Sequence, residues 1–422
     1  MKKFLSNYKS TIILFVAIIV GAIVGIIFQD KATILKPFGD LFLNLLLVII
    51  VPLIFVTITI SIAKMKQPKR LGKIMASIIG VFIVFSIIAV IIGFLTTVGI
   101  KLVNTDDGEK IKTSLEATTE EKSSDKEEEN LTIADRTVKL LTVNDFSKLL
   151  SRDNIIAILI AAIIFGVALN MSKEKAKPVC DFLESLNTVL NNVVKIIMYY
   201  APIGLGCYFA SLVGSFGASI AVGYLQTFVI YLIVSVLFYF IMYTIYAFVA
   251  GGKKGIIAFW KNAIPPTLTA LATCSSAANI PINTEAAKKM GVPDDIAETT
   301  IPLGTSFHKD GSIIGSVFKI MFLVCLFGTS LATTGDVMGV LGVALLANLL
   351  ITAVPIGGGT ISEMLIITMM GYPVAALPIL TIIATIIDAP ATMLNSVGDS
   401  AAAMVVTRIV DGKDWIKNKE DN

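Results

Sequence analysis

Apolar residues run almost unbroken for about the width of a bilayer at 11–28, 41–63, 74–103, 153–171, 224–250 and 313–331. A helix needs about 20 such residues to cross the hydrocarbon core, so these runs predict membrane helices. The first is too long and too isoleucine-rich for a cleaved leader and lacks a small-residue cleavage site, so it reads as a first span. Polar positions between the runs are strongly basic in "MKKFLSNYK", "KMKQPKR" (64–70), "SKEKAKP" (172–178), "GGKKG" (251–255), "AAKKMG" (286–291) and "RIVDGKDWIKNK". Placing these in the cytoplasm gives alternating spans without contradiction and puts both termini inside. Residues 104–148 then face outward. Their "DDGEK…EATTEEKSSDKEEEN" is acidic and free of aromatics, which predicts a disordered, solvated loop.

Two apolar stretches do not fit a simple crossing. Residues 256–290 lie between two basic clusters yet carry "TALATCSSAANIPIN" at their centre, small and hydroxylated up to Pro281. A segment that begins and ends on one side with a polar middle is a re-entrant hairpin. Residues 334–371 have "TAVPIGGGTIS" at their centre, and both ends should face outward. Proline and three successive glycines free backbone groups that lipid cannot satisfy, so this backbone must line a cavity or be covered by protein. Each hairpin precedes one further span, 293–326 and 374–410. Hairpin plus span, twice, with opposite entry sides, is an inverted repeat, and interrupted segments of this kind mark a transporter binding site.

Composition agrees with this reading. The 422 residues are 55% hydrophobic and only 15% charged, with a mean hydropathy of +0.84, where a soluble chain carries about a quarter charged residues. The net charge of +3 adds little. Cys180, Cys207, Cys274 and Cys325 show no paired or metal-ligand spacing and read as packing thiols. No cofactor is implied, no basic feature points to nucleic acid, and no G-x-x-x-x-G-K-[ST] run supports an ATP-driven pump.

The last span holds "IIDAPATMLNSVGDSAAAMVV", in which Asp388, Thr392, Asn395 and Asp399 are spaced 4, 3 and 4 and so share one helical face. Pro390 leaves the carbonyl of Ile386 free one turn back. Polar contact between helices accounts for Thr392 and Asn395. It does not account for two carboxylates, which need cations. The stretch "FHKDGS" (307–312) sets His308, the only histidine, beside Lys309 and Asp310 next to an apolar run. Lysine or aspartate at a helix centre costs roughly 2.5–3.5 kcal/mol on insertion scales.

Taken together, "D…T..N..GD" on the last helix, "TCSSAANIP" and "AVPIGGG" at the hairpin tips, "IPLG…KDGS", "YYAPIGL" (199–205) and "VPLIF" (51–55) resemble the dicarboxylate/amino acid:cation symporter family, which includes the glutamate and neutral amino acid transporters. The resemblance implies an all-α polytopic fold of eight transmembrane helices and two re-entrant helical hairpins, arranged as inverted repeats in a glutamate-transporter-like elevator. Spans 1–3 would fall in 1–103 and spans 4–6 in 149–250. A transport core at 251–412 would hold hairpin 1 (256–290), span 7 (293–326), hairpin 2 (334–371) and span 8 (374–410), before a cytoplasmic tail at 413–422. It further implies a homotrimer in the plasma or inner membrane, with the early spans as scaffold and the outer hairpin as lid.

For the residues, the resemblance implies that Asp388 holds a substrate ammonium and that Asn395 and Ser276 hold its carboxylate, with backbone at the tips, Ser275 in the first and Pro355 and Gly357 in the second. Thr392 would face the substrate side chain. Asp399 would bind sodium with carbonyls near Gly304 and His308, and Asp310 would serve a buried sodium site. These roles suit the residue types.

The chain departs from the pattern at several points. Ala391 stands where acidic-substrate relatives have arginine, and Cys274 offers none before the serines, so no clamp for a second carboxylate remains. A small neutral amino acid such as alanine, serine or threonine is expected. The alternative is a sodium-coupled acidic amino acid or dicarboxylate symporter. "HKDGS" replaces the usual "NMDGT", and a Thr-Ser pair expected in the third span is reduced to Ser86 beside Phe85. Lys309 could therefore supply the charge that relatives take from sodium, or turn to a helix neighbour or to water. His308 is expected to contribute its backbone carbonyl, with a packed ring. Glu363 is a rival proton carrier, or else a water-facing carboxylate. The cation, sodium or proton, stays open. An intramembrane protease is a poor fit, because "SVGD" lacks the first glycine of an aspartyl motif and "CSSAA" forms no serine elbow.

Overall fold

A computed structural model describes residues 9–63, 71–103, 142–151, 154–216, 218–349 and 358–416. Most of the acidic loop (104–141) and the tip of the second hairpin, with Pro355 and Gly357, lie outside the described residues. Among the described residues the chain is helical, with no strand. The long helices are α1 (Lys9–Phe28), α2 (Lys36–Ala63), α3 (Leu71–Thr97), α4 (Ile155–Ser172), α5 (Lys177–Phe216) and α6 (Ala218–Asn262). Then come α7 (Ile264–Thr273), α8 (Ser276–Lys289), α9 (Asp294–Phe307), α10 (Asp310–Phe327), α11 (Thr334–Leu349), α12 (Gly358–Met370) and α13 (Leu377–Asp411).

By length and composition, five helical segments among the described residues qualify to cross a membrane, or six if a pair bent by 49° between Ile197 and Tyr199 is one span. The bend has a local cause. Pro202 cannot donate to the carbonyl at 198, so the helical ladder opens one turn before it. Many large apolar side chains on the outer helices are exposed, for example Ile19, Ile27, Ile196 and Phe240, as a lipid-facing surface requires.

The core forms around α13, which packs against α3, α6, α7, α8, α9, α10 and α12. Its burial is continuous from Pro390 to Thr407. A second group gathers on α5, which packs against α1 and α2, with α4 against α2. α3 and α6 also lie against α10 and α13.

Interruptions fall where the backbone cannot stay helical. Within α6, Gly252 has φ +62 and ψ −147, a conformation open essentially to glycine, so the helix kinks at "GGKKG". The first hairpin is α7 and α8 packed against each other. Its turn is made by Cys274, whose left-handed φ of 47 ends α7, and by Ser275, whose hydroxyl accepts the Ala278 N–H at 3.3 Å to cap α8. The segment expected as span 7 is broken. His308 is extended and Lys309 non-helical between α9 and α10. The second hairpin consists of α11 and α12, packed together across the undescribed tip.

Candidate functional site

A helix broken inside a protein core leaves backbone donors and acceptors unpaired. Here side chains from three elements converge on the break between α9 and α10. The N–H of Ser312, in the first turn of α10, donates to Asn395 Oδ1 on α13 at 3.0 Å, and Asn395 Nδ2 donates back to Ser312 Oγ at 2.9 Å. This reciprocal pair locks the start of α10 onto the middle of α13. The approach is close: a Cβ on Gly311 would collide with the backbone of Ala391, and one on Gly304 with the carboxylate of Asp399. Tyr231 donates to the Gly311 carbonyl at 2.8 Å, and Tyr243 to the Leu394 carbonyl at 2.6 Å.

Around this break the charged residues form a cluster. His308, Asp310 and Asp399 are all fully buried. The ring of His308 lies between the two carboxylates, with Nδ1 2.9 Å from Asp399 Oδ1 and Nε2 3.1 Å from Asp310 Oδ1. The first contact is a hydrogen bond. The second is an ion-pair distance off the hydrogen-bonding line, so Nε2 and Asp310 Oδ1 remain unpaired donor and acceptor. The ring, expected to be a packed polar group, is set directly against both carboxylates. Phe82 of α3 stacks on the ring at 4.8 Å and Phe85 lies tilted at 5.7 Å. Tyr243 of α6 reaches Asp310 Oδ2 at 3.3 Å. Lys309 is half-buried and its charge acts on Asp399. Ser86, the remaining polar residue of the third-span pair, is buried with its hydroxyl unpaired.

As a site for a hard cation this cluster is mixed. Asp399 Oδ2 and Asp310 Oδ1 are buried oxygens without hydrogen-bond partners, which a sodium ion could use. Against that, an imidazole faces both carboxylates and an ammonium acts on Asp399, and each opposes a second cation there.

The other stripe residues fall into place on α13. Thr392 Oγ1 donates to Asp388 Oδ1 at 3.4 Å, one turn away. Ala391 is buried against Gly311. Both helices of the first hairpin pack on α13, and α8 is pinned there by Asn283, which donates to the Ser396 carbonyl and accepts from Ser400 Oγ, each at 2.6 Å. Ser275 is committed to its cap, and Ser276 opens α8 half-buried.

Glu363 is not water-facing. It is fully buried and paired with Lys319 of α10 at 3.2 Å, and its other oxygen accepts from Thr381 of α13 at 2.7 Å. Lys319 has no counterpart among the residues read from the sequence. Its one signal was a lysine inside the run 313–331, where an unpaired charge is costly.

The family profile described as the sodium:dicarboxylate symporter family matches residues 11–409. The proton/sodium-glutamate symport protein of Bacillus subtilis (strain 168) is 28% identical over 407 residues, 94% of this chain and 91% of the relative. The C4-dicarboxylate transport protein of Acidovorax sp. (strain JS42) is 27% identical over 393 residues, 93% of this chain and 86% of the relative. The proton/sodium-glutamate symport protein of Bacillus caldotenax is 28% identical over 408 residues, 94% and 93% respectively. A match across nearly the whole chain leaves no large segment outside it, and the chain belongs to the sodium:dicarboxylate symporter family.

Proposed function

We propose that this protein is a secondary transporter for small neutral amino acids, with Asp388 holding the ammonium and Asn395, Ser276 and the hairpin tips the carboxylate. Thr392 and Ala391 would face the side chain. The observation that carries the reading is that, among the described residues, no arginine or unpaired lysine stands at Asp388 for a second carboxylate. Position 391 is an alanine. Lys319, whose charge acts on Asp388, is already paired with Glu363. An acidic substrate would bring an uncompensated charge into a buried site. The names of the relatives favour a second reading, transport of glutamate or C4-dicarboxylates.

The ring of His308 supports a further part of the proposal. One ring nitrogen hydrogen-bonds Asp399 and the other stands at ion-pair distance from Asp310, so an imidazolium there would be held by both carboxylates. With Lys309 beside it, the cluster carries positive charge that relatives of this kind draw from sodium, so sodium coupling is weak. Eight spans, the trimer, the cytoplasmic termini and an elevator movement of the α13-centred group complete the proposal. Uptake of labelled alanine, serine, threonine, aspartate and succinate into proteoliposomes tests the substrate class. Transport of aspartate or succinate in preference to the neutral amino acids would overturn it.

A further inference from the structure

The ion pair between Lys319 and Glu363 belongs neither to the substrate stripe nor to the cation cluster. It joins three elements, since Lys319 is on α10, Glu363 on α12, and the supporting Thr381 on α13. Lys319 is 6% exposed and Glu363 0%. Replacing a buried pair with apolar residues is often neutral for stability, so a tether alone does not explain charges placed here.

The placement relative to Asp388 does. Thr381 and Asp388 are seven residues apart on α13, so they share a face and stand about 10 Å apart along the axis. Lys319 pairs at the level of Thr381, yet its charge is felt at Asp388. Its four-carbon stem is flexible and its ammonium a compact point charge, so it can turn between the two carboxylates. A carrier that moves through a membrane with an empty site must not carry a bare buried carboxylate. When an amino acid is bound, its ammonium meets Asp388. When the site is empty, some other cation must.

We propose that Lys319 is a tethered counter-cation for the substrate-free carrier, turning toward Asp388 when the site empties and back to Glu363 when a substrate ammonium arrives. This rests on Asp388 being the ammonium site. Lys319 and Glu363 touch no substrate and are positioning residues. The tethered charge lets the empty carrier reorient, which net uptake requires and exchange of one amino acid for another does not.

The test compares two rates in proteoliposomes with labelled alanine, serine, threonine and aspartate: uptake into empty vesicles, and exchange into vesicles preloaded with the same unlabelled amino acid. In the double variant Lys319→Met/Glu363→Gln, which leaves no orphaned charge, the ratio of net uptake to exchange should fall about tenfold, a usual size for coupling between neighbouring sites. In Glu363→Gln alone, Lys319 is left to Asp388 and competes with the substrate, so half-saturation for exchange should rise about tenfold. A structural tether would lower thermal stability in both variants and leave the ratio and half-saturation unchanged, and that result overturns the proposal. So does an equal fall of both rates in the double variant. Should the double variant not fold, the half-saturation of Glu363→Gln decides alone. If the unmodified protein exchanges none of the four amino acids, the substrate reading itself fails, and the proposal with it.

Discussion

A carboxylate held among apolar helices is stable only where a cation meets it. Asp388 is such a group, with Thr392 on one oxygen. On the proposed reading, replacing Asp388 by asparagine removes the partner of the substrate ammonium, a loss of about 3–5 kcal/mol. Binding of the preferred amino acid, followed by calorimetry in detergent, should then become undetectable. Full affinity in Asp388→Asn would take the stripe out of the site. Ala391→Arg restores a guanidinium one turn from Asp388 and should move the preference from serine toward aspartate in competition uptake. Helical spacing alone puts Asp388, Thr392, Asn395 and Asp399 on one face, whereas Ala391 is singled out only by the family resemblance. The ring of His308 was not legible in the sequence. Its place between Asp310 and Asp399 depends on two non-helical residues and on Phe82 from a helix far away in sequence. Lys319 was hidden for a similar reason, since its partner Glu363 lies 44 positions away on another helix.

The all-helical, apolar character of the chain could be read from hydropathy, because lipid allows little else, but the expected count of eight spans could not, since five or six segments among the described residues qualify to cross. The runs at 41–63 and 153–171 nearly coincide with α2 and α4. What hydropathy does not encode is which faces meet, so the grouping of α3 and α6 with α13 had to be seen. Two glycines test that packing. A Cβ at Gly311 would run into the Ala391 backbone, which cannot step aside, whereas one at Gly339 in α11 meets nothing within 4 Å. Gly311→Ala should cost about 1–3 kcal/mol, as overpacking does, and lower the unfolding temperature in detergent. Gly339→Ala should leave it level or raise it, since alanine favours helix by about 1 kcal/mol over glycine. Equal unfolding temperatures for the two variants would mean that α10 and α13 do not approach this closely.

At the scale of the whole molecule, the proposed orientation puts the basic clusters on one side of the membrane and the acidic segment on the other. Ser123→Cys and Lys253→Cys, each in a background without the native cysteines, should react with an impermeant maleimide from opposite sides of the membrane. Labelling from one side would mean that the number of spans between them is wrong. The proposed weak coupling rests on charge already built into the cluster, where His308 faces Asp310 and Asp399 and Lys309 acts on Asp399. An ion that binds the loaded and empty carrier equally cannot raise substrate affinity. The most direct measurement is therefore the affinity of the unmodified protein for its preferred amino acid, titrated in choline and in sodium buffers at equal ionic strength. The two values should agree within about threefold, the small coupling expected when the charge is fixed. An affinity that rises by orders of magnitude in sodium would contradict this and make the protein an ordinary sodium symporter.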